Sequence, residues 1–425
     1  MTAVQILGFI GALLAIGFLA DYLFRKVSFP DILLLLGLGY LIGPVFKIVD
    51  PTQIAPFSQI IASLALVIIL FNGGLDLKLR QVLSNAPRTI ALVVLGIAGS
   101  AAVVTIIAYH MLGWDLMHSL LLGAILGGSS PSIVIPLVSR AKVPGKVSSL
   151  LSLESAFNGA LVIVIALVIL EVITSGNSGN EASIVGQAIA IKFSIGAGIG
   201  AAAGIIWLWV LTLLEGEAFD DILTLAVVFL VYFGVESIQG SGVICALFFG
   251  IVLGNGVEIA RFLRIKRTVE IHDVMKKFHS QMSFLIKTFF FVYLGLMITF
   301  DDINIVSIGL LLSLALLFVR YFVVLLTSIG DSTLLKHSAF LSTMLPRGLS
   351  AAVVAEVVVA AGIANASSYP SIIMIVIVAT VIISALGIPI FARKLPEEAP
   401  EEPSGPGDNK PTQPNAEEKS KGKEQ

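Results

Sequence analysis

The stretches 127-GGSSP-131 and 345-LPRG-348 interrupt two apolar segments of this 425-residue chain. In the first stretch, two glycines weaken a helix, and Pro131 removes an amide donor and clashes with the carbonyl four residues earlier. In the second, a proline and a glycine flank Arg347. Unwound backbone at membrane depth persists only where protein or water satisfies its polar groups. Both stretches therefore predict a functional site at the bilayer midplane.

The composition is that of a membrane protein. Apolar residues make up 57% of the chain and charged residues 13%, whereas about 25% of a typical soluble chain is charged. Mean hydropathy is +0.99. Apolar runs long enough to cross a bilayer recur along the sequence, which predicts an all-α polytopic membrane protein and excludes a soluble enzyme.

Motifs for cofactors are missing from the sequence. The glycine-rich runs lack phosphate-loop spacing, and the single cysteine, Cys245, excludes a cysteine-based metal site. We therefore expect no cofactor, no metal centre and no nucleic-acid partner.

About thirteen spans are predicted, since each needs roughly 17–25 apolar residues. They lie near 3–24, 31–48, 57–75, 88–112, 117–138, 149–174, 183–213, 222–240, 241–256, 283–300, 303–328, 338–361 and 368–392. The interrupted segments are the fifth and the twelfth. If spans one to six and eight to thirteen are inverted repeats, the two breaks occupy corresponding positions, where such transporters form their binding site.

The basic residues predict the orientation. One set of loops and span ends has few basic residues beyond Lys47. The other set is rich in lysine and arginine and is expected in the cytoplasm. The N-terminus is then outside and the C-terminus in the cytoplasm. The basic set comprises Arg25, Lys26, Lys78, Arg80, Arg88, Arg140, Lys142, Lys146, Arg261, Arg264, Lys266, Arg267, Lys276, Lys277, Lys336, Arg393 and Lys394.

Two segments outside the spans have their own character. Residues 257–282 are basic and partly helical in pattern, which suggests a segment along the cytoplasmic interface. After the membrane domain, residues 1–394, the chain becomes rich in proline, glutamate and lysine. Residues 395–425 cannot bury enough apolar surface to fold, so we predict a disordered cytoplasmic tail.

Span six carries a polar face. Glu154 and Asn158 are four residues apart and so share a helix face, with Ser155 and Gly159 on the adjacent stripe. Such a face points at a partner helix or a water-filled cavity rather than at lipid. Small polar residues also serve as helix–helix contacts, but the carboxylate favours a functional role.

A buried arginine needs an anion. Arg320 lies deep in span eleven and is always charged. We predict that it pairs with Glu154, with Arg347 as the alternative partner of that carboxylate. A pair of this kind can be purely architectural.

With these residues the chain resembles the monovalent cation:proton antiporter superfamily, the sodium/proton exchangers with the NhaA-type fold. The resemblance implies thirteen helices in two inverted repeats, with spans five and twelve as crossed, unwound helices. It also implies a homodimer and elevator-like movement of a core domain. The matching stretches are 71-FNGGLDLKLR-80, 127-GGSSPSIV-134, 150-LLSLESAFNG-159, 240-GSGVICALFFGIVLGN-255, 287-KTFFFVYLG-295, Arg320 in its span and 346-PRGLSAAV-353.

The chain departs from this family where the ion binds. Ser129, Ser130 and Pro131 fall where exchangers commonly show Thr-Asp-Pro. Glu154, Ser155 and Asn158 match the family, but Gly159 falls where the resemblance implies an ion-carrying aspartate. An exchanger needs a group that binds either a proton or a cation, which a carboxylate does and serine or glycine does not.

Three interpretations follow. The chain exchanges Na⁺ or K⁺ for protons across the cell membrane with Glu154 as the switching carboxylate. Alternatively, the switching carboxylate is Glu356, nine residues past Arg347, or Glu236. In the third, the scaffold is kept without proton exchange, and the chain is a cation facilitator, a transporter of another solute or a regulatory subunit.

Overall fold

The computed structural model describes residues 3–27, 31–49, 55–77, 79–141, 143–175, 181–214, 220–262, 273–298 and 302–392. Regular structure in these ranges is helical, and the predicted tail 395–425 lies outside them. The helices are α1 (Ala3–Val27), α2 (Asp31–Tyr40), α3 (Ala55–Asp76), α4 (Leu79–Ile107), α5 (Leu116–Ile125), α6 (Pro131–Arg140), α7 (Gly145–Ser175), α8 (Glu181–Leu213), α9 (Asp220–Ser237), α10 (Gly242–Gly254), α11 (Gly256–Phe262), α12 (Asp273–Met297), α13 (Ile303–Ser328), α14 (Ser332–Lys336), α15 (Ser338–Thr343), α16 (Leu349–Ala361) and α17 (Ser368–Gly387).

Length and composition allow six helices of the described residues to cross a bilayer, or seven if the bent pair α10–α11 is one span. The six are Pro87–Leu112, Gly145–Thr174, Gly186–Leu213, Lys277–Met297, Ile303–Ser328 and Ser368–Phe391. Shorter apolar helices accompany them, and α5 and α16 are among these. The prediction of an all-α polytopic membrane protein is therefore confirmed, while the count of about thirteen spans stays a prediction.

Several helix ends differ from the predicted ones, and α4, for example, begins at Leu79 rather than near 88. The helix of the tenth span, α12, begins at Asp273 rather than near 283. Its first turns are polar (273-DVMKKFHSQ-281), so a criterion based on apolar length stops too early. The ninth span ends where α10 and α11 meet at a 78° bend. The short helix α11 lies in the segment that was predicted to follow the interface.

Glycines bring helices into backbone contact. A Cβ atom at Gly250 of α10 would lie 2.2 Å from the carbonyl oxygen of Phe71 on α3, and one at Gly74 would lie 2.3 Å from that of Leu247. Gly39 of α2 and Gly295 of α12 make an equivalent approach. Because lipid tails are as apolar as leucine, close packing of small residues is a main source of helix association in a bilayer.

A cluster of ion pairs joins α4, α7 and the start of α14 at one end of the bundle. Asp331 accepts from Lys146 Nζ at 2.5 Å and forms an ion pair with Arg88. Its other carboxylate oxygen caps α14 by accepting from the Leu334 amide at 3.2 Å. Arg88 and Lys146 belong to the loops that were predicted to share the cytoplasmic side, and the structure places them at the same end.

We expect the Asp331→Asn substitution to lower the apparent melting temperature at neutral pH, because asparagine keeps the cap and loses both ion pairs. The Lys146 hydrogen bond and the Arg88 charge hold the pKa of Asp331 below its ordinary value of 3.8. This depressed pKa gives stability that is present above pH 3.8 and is lost as pH falls through the folded-state pKa. Melting curves of both proteins from pH 7 to pH 3 measure the difference, which should shrink towards the acid end. A difference that is constant with pH would contradict this assignment.

Candidate functional site: the crossing of two broken helices

The two breaks meet and satisfy each other's backbone. One lies between α5 and α6, and the other lies between α15 and α16. The amide of Ser130 in the first break donates to the carbonyl oxygen of Pro346 in the second, at 2.8 Å. Pro131, which has no amide hydrogen, occupies the first position of α6, where that hydrogen would have no partner within the helix. The sequence stretches that predicted a site are thus in direct contact.

The contact requires a small residue at 348. A Cβ atom built on Gly348 would lie 2.5 Å from Ser130 Oγ, so a larger side chain would push the two breaks apart. Helix α17 supports the same break from the other side. Its Thr380 hydroxyl accepts from the Arg347 amide at 3.0 Å, and its Ser384 hydroxyl donates to the Thr343 carbonyl at 2.8 Å. The unwound backbone is therefore held by protein groups.

Beside the crossing, Glu154 and Arg320 form the predicted pair. Arg320 Nη2 donates to Glu154 Oε2 at 2.7 Å, and Nη1 donates to Oε1. The Asn158 side chain adds a bond to Oε1 at 3.0 Å. Arg320 Nε also donates to the Leu341 carbonyl at 3.3 Å. Since Glu154 is 1% exposed, its charge is compensated by direct partners, which tie α7 to α13 and α15.

The polar chain continues from Glu154 to the first break. Asn158 Nδ2 lies 3.3 Å from Ser129 Oγ as well. Ser155 does not join this chain, because its hydroxyl donates to the Ser152 carbonyl of the same helix at 3.1 Å. Of the residues on the predicted polar face, Glu154 and Asn158 therefore reach the crossing through hydrogen bonds.

The Arg347 side chain reaches α4, whereas the Arg320 side chain reaches Glu154 on α7. Arg347 is 4% exposed, and its Nη2 atom lies 3.4 Å from the Ser100 hydroxyl on α4. No ion pair of Arg347 occurs among the described residues. The alternative pairing of Glu154 with Arg347 is not the one formed. The crossing thus holds one carboxylate and two guanidinium groups.

A small, partly open cavity of about 20 Å³ lies on the α3 side of the crossing. Three serines, Ser130, Ser132 and Ser350, are among its lining residues, although the lining surface is almost entirely apolar. Ser130 Oγ is 3.1 Å from Ser132 Oγ. The remaining lining residues are Leu66, Leu70, Pro131, Gly159, Ile163 and Leu349. None of these side chains is charged.

Position 159 has room for a side chain. A Cβ atom there would meet Pro131 Cδ at 3.4 Å and Leu70 Cδ2 at 4.0 Å, which are ordinary contacts. The two positions where the resemblance implies acids, 130 and 159, both line the cavity. In this chain Ser130 has a hydroxyl group at the first position, and Gly159 has only a hydrogen atom at the second.

A family model described as the transmembrane sodium/hydrogen exchanger matches residues 11–394. The chain belongs to the sodium/hydrogen exchanger family. Members of this family are transporters, and the match covers every element of the crossing.

Relatives agree with this assignment. This chain is 24% identical over 404 residues to the K(+)/H(+) antiporter NhaP2 of Shewanella sp. (strain MR-4). The alignment covers 93% of this chain and 68% of that protein. The chain is 28% identical over 387 residues to Na(+)/H(+) antiporter 1 of Methanocaldococcus jannaschii, covering 87% of each. Two solved structures of the sodium proton antiporter MjNhaP1 from M. jannaschii align with TM-scores of 0.75 and 0.80 at 23% identity. The first alignment covers 92% of this chain and 97% of the solved chain, and the second covers 95% and 100%. These alignments establish the shared fold.

Two further carboxylates were candidates for the exchanger site. Glu356 is 6% exposed on α16, and one of its oxygens lies 3.5 Å from the Tyr293 hydroxyl on α12. Glu236 is exposed at the end of α9, where its carboxylate accepts from the Gly242 amide at 2.8 Å. Glu236 therefore caps the start of α10, whereas Glu356 is buried within the bundle.

Sequence reasoning missed several residues of the crossing. Ser132 and Ser350 line the cavity, and Thr380 and Ser384 hold the second break. A local signal existed for the first two, because each is the second residue of a helix that begins at a break. Thr380 and Ser384 carry no such signal, since their partners are 33 and 41 residues away along the chain.

We predict that Glu154→Leu and Arg320→Leu each lower the apparent melting temperature strongly, because each leaves an unpaired buried charge at a cost of about 3–5 kcal/mol. The double substitution removes both charges and should melt closer to the wild type than either single variant does. A double-mutant cycle on the purified protein measures the coupling. Additive losses in the double variant would show that the two side chains do not depend on each other.

Proposed function

We propose that this protein is a secondary active transporter that exchanges Na⁺ or K⁺ for protons across the cell membrane. The observation that carries the proposal is the open cavity at the crossing of two broken helices, in a chain of the exchanger family. Relatives named as K(+)/H(+) and Na(+)/H(+) antiporters support the choice of ions. Interrupted helices in other transporters bind substrates and ions in the same way.

Several finer features belong to the same proposal. We propose about thirteen spans in two inverted repeats, with the N-terminus outside, the C-terminus in the cytoplasm and two copies forming a homodimer. We also propose elevator-like alternating access. A body that moves as a unit must be held together internally, and the Glu154–Arg320 pair and the backbone bond between the breaks supply such ties.

Glu154 is poorly suited to carry the exchanged proton. Both of its oxygens accept hydrogen bonds from Arg320, and Asn158 donates to one of them. Protonation would leave the Arg320 guanidinium buried without its counter-charge, which is costly. Glu154 therefore has an architectural role, and the exchange requires another carboxylate.

A cation facilitator is the second candidate function. One observation favours it: the cavity is lined by hydroxyl and apolar groups and by no carboxylate. A facilitator needs a path for the ion but no group that also binds a proton.

Proteoliposomes separate the two functions. With a pH gradient imposed and a pH-sensitive dye inside, an exchanger moves protons when Na⁺ or K⁺ is added outside. A facilitator passes isotopic cation without proton movement. As a control, Gly348→Val should abolish transport, because its side chain would collide with Ser130 Oγ at the crossing.

Wild-type protein should collapse the pH gradient after a pulse of Na⁺ or K⁺, and liposomes without protein should not. Cation uptake with no proton movement would replace the exchanger proposal with the facilitator. If neither ion moves, both functions are wrong for this chain.

A further inference from the structure

We infer that Arg347 and Ser100 hold a small monovalent anion, such as chloride, on the α4 side of the crossing. Neither residue lines the cavity on the α3 side. The inference goes beyond the proposed function and does not depend on it, because it concerns a charge that the protein buries whatever ion it transports.

Arg347 has more hydrogen-bond donors than partners. A guanidinium group only donates hydrogen bonds and stays charged in proteins. The side chain makes one hydrogen bond to the described residues, from Nη2 to Ser100 Oγ at 3.4 Å, which is longer than the usual range of about 2.7–3.2 Å. Its Nε atom is buried and has no partner among these residues. Because a buried charge without a counter-charge is strongly destabilising, a group that accepts from Arg347 is expected at this place.

The charges at the crossing do not cancel. Arg320 and Glu154 form an ion pair, which leaves the charge of Arg347. The ends of the broken helices add little, because α6 and α16 begin at the crossing while α5 and α15 end there. A helix has a partial positive charge at its start and a partial negative charge at its end, so the four ends compensate each other. Among these groups an excess of one positive charge remains, and one monovalent anion cancels it.

Open space lies next to Ser100. Gly96 precedes Ser100 by four residues on α4 and therefore falls on the same helix face, one turn away. Gly96 is buried, yet a Cβ atom built on it meets no heavy atom within 4 Å. Protein interiors are closely packed, so a gap at a buried position beside an unpartnered guanidinium is a suitable place for a small ion.

Ser100 supplies a second donor for the anion. Its hydroxyl oxygen accepts from Arg347 Nη2, so its own hydrogen is available to donate. The backbone of Arg347 is fixed at this place, because its amide donates to the Thr380 hydroxyl at 3.0 Å. An anion that accepts from both side chains therefore connects α4 to the second break, where one 3.4 Å hydrogen bond now joins Arg347 to α4.

Anion binding has a consequence for stability. A ligand that binds the folded protein and not the unfolded chain stabilises the folded state, and the effect grows with ligand concentration. Without a small anion, the charge of Arg347 is uncompensated, and the Arg347→Gln substitution removes that unfavourable charge. The wild type is therefore expected to gain stability from chloride, while the Arg347→Gln variant does not need it.

The experiment measures the melting temperature of the purified protein as sodium chloride replaces sodium gluconate at constant sodium concentration and pH. Gluconate is the reference anion because it is much larger than chloride. Wild type is compared with Arg347→Gln, Arg347→Lys, Ser100→Ala and Arg88→Gln. Arg88 is the matched control, because it is a basic residue of α4 that is 39% exposed and pairs with Asp331. Gel-filtration elution reports folding for every variant.

We expect chloride to raise the melting temperature of the wild type, Arg347→Lys and Arg88→Gln. It should not raise that of Arg347→Gln, which in gluconate melts at least as high as the wild type. Ser100→Ala should need about tenfold more chloride for the same rise, because one hydrogen bond to the ion is lost.

Equal chloride responses in the wild type and Arg347→Gln overturn the inference. A wild type that does not respond to chloride also overturns it, because water then satisfies the donors of Arg347. If Arg347→Gln fails to fold, a Ser100→Ala variant with the chloride dependence of the wild type overturns it. The proposed function is tested separately, by ion movement in proteoliposomes, and none of these results decides it.

Discussion

The hydrogen bond from the Ser130 amide to the Pro346 carbonyl is the constraint on which the crossing depends. Unwound backbone inside a membrane needs partners within the protein, and here each break supplies one to the other. The bond sets the distance between α6 and α16, which in turn requires glycine at 348. Thr380 and Ser384 of α17 satisfy neighbouring groups, so hydrogen bonds connect the two half-helices and α17 at the crossing.

The Glu154–Arg320 pair adds a second connection beside the crossing, and its role is structural. Because both carboxylate oxygens are bound to the guanidinium, the pair holds α7 to α13. We therefore propose that Glu154 does not bind the exchanged ions. Position 159 beside it has space for a Cβ atom, yet the cavity lining contains no acid. In the proposed function the scaffold of the exchanger family is retained, and a carboxylate other than Glu154 binds the exchanged proton.

Local sequence patterns predicted the parts of this arrangement that follow from spacing. Glycine and proline marked both breaks, the four-residue interval placed Glu154 and Asn158 on one face, and a buried arginine implied an acidic partner. Contacts between distant segments had no such signal. The Ser130–Pro346 bond, the Arg88–Lys146–Asp331 cluster and the cavity hydroxyls arise from packing, and the polar start of α12 escaped a criterion based on hydrophobic length.

The most direct test of the account is the number of protons released when a cation binds to the purified protein. Calorimetric titration with Na⁺ or K⁺, repeated in buffers of different ionisation enthalpy, gives this number without any need for transport. Where the pH equals the pKa of the exchanging carboxylate, half of the free sites are protonated, so the account predicts release of about half a proton per bound cation, rising towards one at lower pH. Cation binding without proton release at every pH tested would contradict it.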